Sequence, residues 1–303
     1  MVSSFLGKIP ADTYTTVHQV FHPKDFYLQV GDLVETIFDS VPLETISKRA
    51  SLTASVSALL CLVTILQKRE EFTDRQVSEA IRLRMEWKYA LHLSLRDPGV
   101  RPDHLCAFRR QLHENESSKA AFQVLLDRYQ IVMCNSELPM PLLAEEVITA
   151  ICWMNRVSSV AEAFQQALNV LALREPDWMR AVITPSWYFR YLSSSLKARP
   201  TSSLEELEKA ALKYGADIAY LLQCIQRSDV EGISILAEVE HLRRVYQSNY
   251  ETTTQTEGIL NQWRRDKCIY AVSNGAGCTA PNGRGNAQTQ SWTKVQKDQT
   301  TRT

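Results

Sequence analysis

Seven cations crowd into residues 82–110: Arg82, Arg84, Lys88, Arg96, Arg101, Arg109 and Arg110. Three acids, Glu86, Asp97 and Asp103, share the stretch and leave a surplus of four positive charges. Such groups neutralise phosphate oxygens, and a well-placed arginine in a major groove bonds guanine through two parallel hydrogen bonds. Arg101, His104, Arg109 and Arg110 are the candidates for contact with DNA, with Arg82, Arg84 and Lys88 as phosphate clamps. The same charges also suit a solvated helix face, because the surplus is modest.

Other residues with chemical potential are less well placed. His18 and His22 stand four apart, the spacing of half a metal site on a helix, but Pro23 disfavours helix at its predecessor. The seven cysteines, Cys61, Cys106, Cys134, Cys152, Cys224, Cys268 and Cys278, form no CxxC pair. They read as reduced core residues, and Cys152 beside Trp153 lacks a neighbouring His/Asp pattern to activate its thiol. The glycine-rich Asn274–Gly277 run precedes no helical pattern and lacks a phosphate-loop lysine.

The chain has 303 residues, 45% of them hydrophobic, with a formal net charge of zero. That length can bury a core without disulfides or metals. The balance argues against a uniformly basic nucleic-acid binder but permits local patches. The longest apolar run, Ala58 to Leu66, is far short of the ~20 residues that span a bilayer. The start of the chain lacks a signal-peptide pattern. A cytoplasmic location without membrane association is expected.

Helical periodicity dominates, so the expected fold class is mainly α. Val30 to Asp39 and Leu52 to Lys68 carry apolar helical patterns, the second ending in cations that suit a helix C-terminus. Thr73-Asp74-Arg75-Gln76 fits a capping box and opens a helix with Val77, Ala80 and Ile81 inward. Met85 to Leu93 continues helically, with Trp87, Ala90 and Leu91 as core. Asp97-Pro98-Gly99 is a turn. Pro102 begins a helix reaching about His113, with Leu105, Phe108 and Leu112 buried and Arg109, Arg110 and Gln111 mostly off that stripe. Another helix runs from about Ser118 to Tyr129. Cys134 to Leu142 reads as irregular, and Leu143 to Leu173 as one or two helices. Pro176 and Pro185 each lead a helix start. Leu204 to Tyr214 and Ile218 to Gln226 read as short helices stopped by Gly215, and Leu236 to Tyr250 is the last good helical pattern.

The stretch FTDRQVSEAIRLRMEWKYALHLSLRDPGVRPDHLCAFRRQL, Phe72 to Leu112, resembles the N-terminal DNA-binding domain of InsH-type insertion-sequence transposases. The likeness is carried by Thr73 to Gln76, Trp87 to Leu91, Leu95 to Gly99, and Leu105 to Leu112. Val20 to Phe38 and Leu52 to Gln67 also resemble that domain. Asn155 to Tyr191 and Glu238 to Glu251 are more weakly similar to a helical segment of one branch of these enzymes. The resemblance implies a helix-turn-helix-like domain over 1–130 and a helical region over 131–252 like the segment before the catalytic core, while a composition too poor in apolar residues to fold alone gives a disordered Gly/Asn/Gln/Thr-rich tail over 253–303.

The same resemblance implies a DDE enzyme, in which three carboxylates hold two divalent ions for phosphoryl transfer. Counting back from Asn155-Arg156 without a gap places the first aspartate motif on Pro141 to Glu146, and the aspartate itself on Leu143. Leucine offers no oxygen to a hard cation. Glu145 and Glu146 are close, but read as solvated residues of a helix first turn. The ribonuclease H-like core that would supply the other carboxylates is not recognised. The change of composition after about Arg264 fits a frameshifted end or a basic arm, with seven cations and two acids from Arg264 to Thr303. The expectation is therefore a catalytically inactive transposase relative that binds insertion-element ends and carries no cofactor. Self-association or pairing with an intact transposase is the accompanying partner expectation. The alternative is a protein–protein module that forms mixed oligomers with such a transposase and inhibits it.

Overall fold

A computed structural model describes residues 6–50, 52–133, 142–183, 185–187, 190–191, 203–255 and 258–263. All of these lie in one unit spanning Met1–Ala271. The fold is mainly α, as its periodicity required.

The first eight helices are α1 (Ala11–Val20), α2 (Phe26–Phe38), α3 (Leu43–Ala50), α4 (Ala54–Glu70), α5 (Asp74–Leu83), α6 (Met85–Ala90), α7 (Pro102–Glu114) and α8 (Glu116–Met133). Local chemistry sets their ends. Asp25 caps α2 by accepting from the Tyr27 N–H at 2.9 Å. Thr53 caps α4, and Glu71 stops it in a left-handed conformation at φ 56°. The expected capping box at α5 is present: Thr73 accepts from the Gln76 N–H, and Gln76 reaches back to the Thr73 N–H at 2.8 Å. Pro102 opens α7, where its missing N–H leaves no helical bond unmade. The helical run expected from Met85 to Leu93 is shorter than its pattern. It is divided from α5 by extended backbone at Arg84 and closes at Ala90, two residues before His92 turns left-handed at φ 53°.

The remaining helices are α9 (Ala144–Arg174), α10 (Pro176–Val182), α11 (Pro185–Trp187), α12 (Leu204–Gln226) and α13 (Ala237–Asn249). A single α9 covers the stretch read as one or two helices. Gly215 does not stop a helix, because α12 runs through it. A Cβ there would stand 2.5 Å from the Tyr250 ring, so this glycine admits a neighbouring aromatic rather than ending a helix. After α13 the chain forms an antiparallel ribbon of β1 (Tyr250–Gln255) and β2 (Gly258–Trp263), with Tyr250 opposite Trp263 and Gln255 opposite Gly258. The ribbon occupies the first residues of the stretch read as a tail. From 264 onward that stretch, with the Asn274–Gly277 run, lies outside the described residues, as do 134–141 of the expected irregular segment.

Two hydrophobic cores share α9. Ala144, Val147, Ile148, Ile151 and Cys152 pack into the first, with Val34, Phe38, Leu62, Leu66, Ile81, Trp87, Phe108 and Phe122. From Trp153 onward the helix packs into the second, where Val160, Phe164 and Leu168 meet Leu207, Ile218, Leu221, Val239 and Leu242. Burying one aliphatic side chain of this kind contributes about 1.5–3 kcal/mol. No helix among the described residues is long and apolar enough to cross a membrane.

Candidate nucleic-acid interface

The seven sequence candidates divide by burial. Arg82 is exposed near the end of α5. Arg101 is exposed at the N-cap of α7 and pairs with Asp103, Nη2 to Oδ2 at 2.7 Å. Arg110 is half-buried on α7. These three lie on the elements where the helix pattern placed them.

Arg84 is held rather than open. Its Nε donates to Glu86 at 2.6 Å, Glu70 lies 3.8 Å from Nη1, and its guanidinium sits 5.2 Å from the centre of the Tyr27 ring. Partial burial opposes its charge, but Glu86, Tyr27 and Glu70 outweigh that and raise its pKa. His104 is half-buried, and burial depresses its pKa below the ordinary histidine value, with Asp103 opposing.

Lys88 and Arg109 are placed otherwise than as DNA contacts. Lys88 is 2% exposed, and its ammonium donates to the Asp97 carbonyl at 2.7 Å. Burial lowers its pKa, with Asp97 and Asp12 opposing. The side chain fastens the 94–97 turn to α6 instead of reaching a phosphate. Arg109 is also 2% exposed. It donates through Nη2 to Asp74 and through Nη1 to Gln67 at 3.2 Å. Burial works against the guanidinium charge, yet Asp74 holds its pKa above the usual arginine value. With both cations withdrawn from the surface, five remain against the three acids of residues 82–110.

Arg109 belongs to a buried network that fixes α5 against its neighbours. Asp74 Oδ1 accepts from Gln67 Nε2 at 2.8 Å and from Asn155 Nδ2 at 3.2 Å. Its backbone N–H donates to Asn155 Oδ1 at 2.8 Å. Gln67 also donates to the Phe72 carbonyl at 2.9 Å. Helices α4, α5, α7 and α9 therefore meet at one carboxylate. A buried charge without such partners would be strongly destabilising, so this set defines the relative placement of α5 and α7.

The α6–α7 turn is fixed to α5 by two further contacts. Gly99 adopts φ 82°, and a Cβ on it would stand 3.2 Å from Ile81 Cγ2 and 3.5 Å from the Arg82 nitrogen. Ser78 donates to the Val100 carbonyl at 2.5 Å. Arg96, in the same turn, is exposed too. It belongs to the basic run but not to the seven candidates, although its place beside Asp97-Pro98-Gly99 is a sequence signal of exposure.

The position that the resemblance gives to a catalytic aspartate is Leu143, the N-cap of α9, 47% exposed. Glu145 pairs with Lys119 at 2.8 Å and with His113 at 3.4 Å. Its hydrogen bond from Lys119 is the main cause of a lowered pKa. No group of three His, Cys, Asp or Glu side chains arranged for a metal ion occurs among the described residues. Cys61, Cys106 and Cys152 are buried, and burial pushes the Cys61 thiol well above its ordinary pKa.

Compared with protein-family models, with curated proteins and with solved structures, the chain matches none of them.

Proposed function

We propose that this chain is a transposase-related DNA-binding protein that recognises insertion-element ends and has no strand-transfer activity of its own. The observation that carries this reading is the exposure of Arg82, Arg96 and Arg101 at the corner where the α6–α7 turn packs on α5. They stand on the end of α5 and on the α6–α7 turn pinned to it. That corner falls within the stretch whose motifs resemble the InsH-type domain. Arginines carried on backbone fixed in this way contact phosphates without first ordering a loop. Leucine at position 143 supports the lack of catalysis, because it gives a divalent ion no ligand.

The experiment is a salt titration of full-length protein binding to duplexes from the flanks of its own gene, beside Arg82→Ala/Arg101→Ala. Affinity that falls steeply with salt in wild type and less steeply in the variant supports the reading. Binding without salt dependence or flank preference refutes it.

A second reading is a protein-binding module that forms mixed oligomers with an intact transposase. It is favoured by a cavity of about 520 Å³ lined both by Leu222, Ile225 and Val230 and by Gln223, Gln226 and Arg243. Ile235 stands 77% exposed beside it in sequence. A shift in mass on mixing with such a transposase, in analytical ultracentrifugation, would favour this reading over the first.

A further inference from the structure

His92 follows α6 in a left-handed conformation, φ 53°, and its ring lies between two backbone carbonyls. Nδ1 is 2.7 Å from the Gly7 oxygen, and Nε2 is 2.9 Å from the Gly31 oxygen. A carbonyl oxygen only accepts, and a neutral imidazole carries one N–H. The neutral ring can therefore satisfy one of these oxygens and must turn a lone pair toward the other. The imidazolium donates to both.

We infer that His92 is a proton-operated clasp, which in its protonated form ties the segment before α1 to α2 through both carbonyls and in its neutral form keeps one of the two bonds and so loosens that tie. Gly7 belongs to the chain leading into α1, Gly31 to α2, and His92 to the end of α6, so one proton joins three elements. The donors set the sign. The tie is complete while the ring is protonated and loses one hydrogen bond as rising pH removes the proton to solvent.

The other charged and titratable groups on the elements around His92 are Lys8 ahead of α1, Asp12, Tyr14 and His18 on α1, Tyr27, Asp32 and Glu35 on α2, and Glu86, Lys88, Tyr89, Arg96, Asp97 and Arg101 on α6 and its following turn. Most have other engagements. Asp12 accepts from the Leu95 N–H at 3.2 Å, and Lys88 is bound to carbonyls of the turn. Tyr89 donates its hydroxyl proton to Asp32 at 2.7 Å, so its oxygen accepts from His18 Nε2 at 3.1 Å. That contact needs a single ring N–H. His92 is the ring whose two contacts demand both protons.

The test follows two signals in one sample of the full chain across a pH series. Ring nitrogen shifts of His92 report its protonation directly, and amide exchange, corrected for its intrinsic pH dependence, reports protection of residues 8–20. The expected result is a roughly tenfold fall in protection that shares its midpoint with the His92 ring, the size of losing one charge-assisted hydrogen bond. His92→Asn, which tolerates the left-handed backbone, is expected to show low protection at every pH, and His18→Gln to retain the transition. Protection that ignores the His92 titration, a ring that is neutral wherever the segment is protected, or an unchanged transition in His92→Asn would overturn the inference.

Discussion

Asp74 and Asn155, 81 residues apart, bind each other twice: the Asp74 N–H donates to Asn155 Oδ1 at 2.8 Å, and Asn155 Nδ2 donates to Asp74 Oδ1 at 3.2 Å. The first bond satisfies an N–H in the opening turn of α5 that the helix itself cannot use. The second anchors the carboxylate that neutralises Arg109. The residue after Asn155 looks the other way, with Arg156 Nε donating to Asn249 Oδ1 at 3.1 Å at the end of α13. Two consecutive residues of α9 thus hold one element of each core.

Asn155→Ala removes both bonds to Asp74 while deleting little volume. A drop of about 1–3 kcal/mol in stability is expected, because the buried Asp74 N–H loses its partner and Oδ1 keeps only Gln67. Urea unfolding checks this, and a change within error would show that the network relaxes around the gap.

Arg109→Ala leaves Asp74 buried without its cation and is expected to lower stability by about 3–5 kcal/mol. Arg109→Lys keeps the charge but not the planar fork that reaches both Asp74 and Gln67, so its destabilisation should be smaller. Measured beside DNA binding, these variants separate a structural arginine from one that touches the duplex. A stable Arg109→Ala protein with weakened DNA affinity would contradict its placement in the core.

Gly31→Ala drives a methyl group into α6. The added Cβ would lie 2.7 Å from Tyr89 Cδ1 and 3.0 Å from the Tyr89 carbonyl oxygen, which is backbone and cannot swing aside. About 1–3 kcal/mol of destabilisation is expected from such overpacking. Thermal unfolding reads it, and an equal or higher midpoint would refute the close approach of α2 and α6.

His104 gives a pH dependence with a definite sign. Burial lowers its folded pKa below 6.5, so the unfolded chain takes up the proton first. Its contribution therefore favours the fold above pH 6.5 and is lost as pH falls through 6.5 and then through the lower folded value. The acid-side fall in stability should be smaller in His104→Asn than in wild type, and identical profiles would remove the assignment.

Much of the helical scaffold was legible because it depends on neighbours in sequence. The capping box at Thr73 and Gln76, the proline start at Pro102, and the stripe of Leu105, Phe108 and Leu112 all follow local rules. Arg109 illustrates the limit. It stands four residues after Leu105 and three before Leu112, an inward position by period, yet its charge argued outward. The partner that makes burial tolerable, Asp74, lies 35 residues earlier, and no local pattern joins the two. Lys88 escapes sequence reading for a similar reason, since its partners are carbonyls that the sequence does not distinguish. Gly215 reads as a stop because the ring that needs its missing Cβ, Tyr250, belongs to a distant element. The exposed candidates Arg82 and Arg101 were legible from helix ends and turns alone.

The most direct measurement of DNA recognition is the salt dependence of full-length protein binding to its own gene's flanking duplexes, with scrambled duplexes as reference. Flank-selective binding is expected. Arg82→Ala/Arg101→Ala should lower the slope of log affinity against log salt by about 0.9 for each phosphate that is no longer neutralised, and should leave the unfolding midpoint unchanged. Equal affinity for scrambled DNA, or a slope unaltered by the double substitution, would contradict the assignment of this corner to DNA.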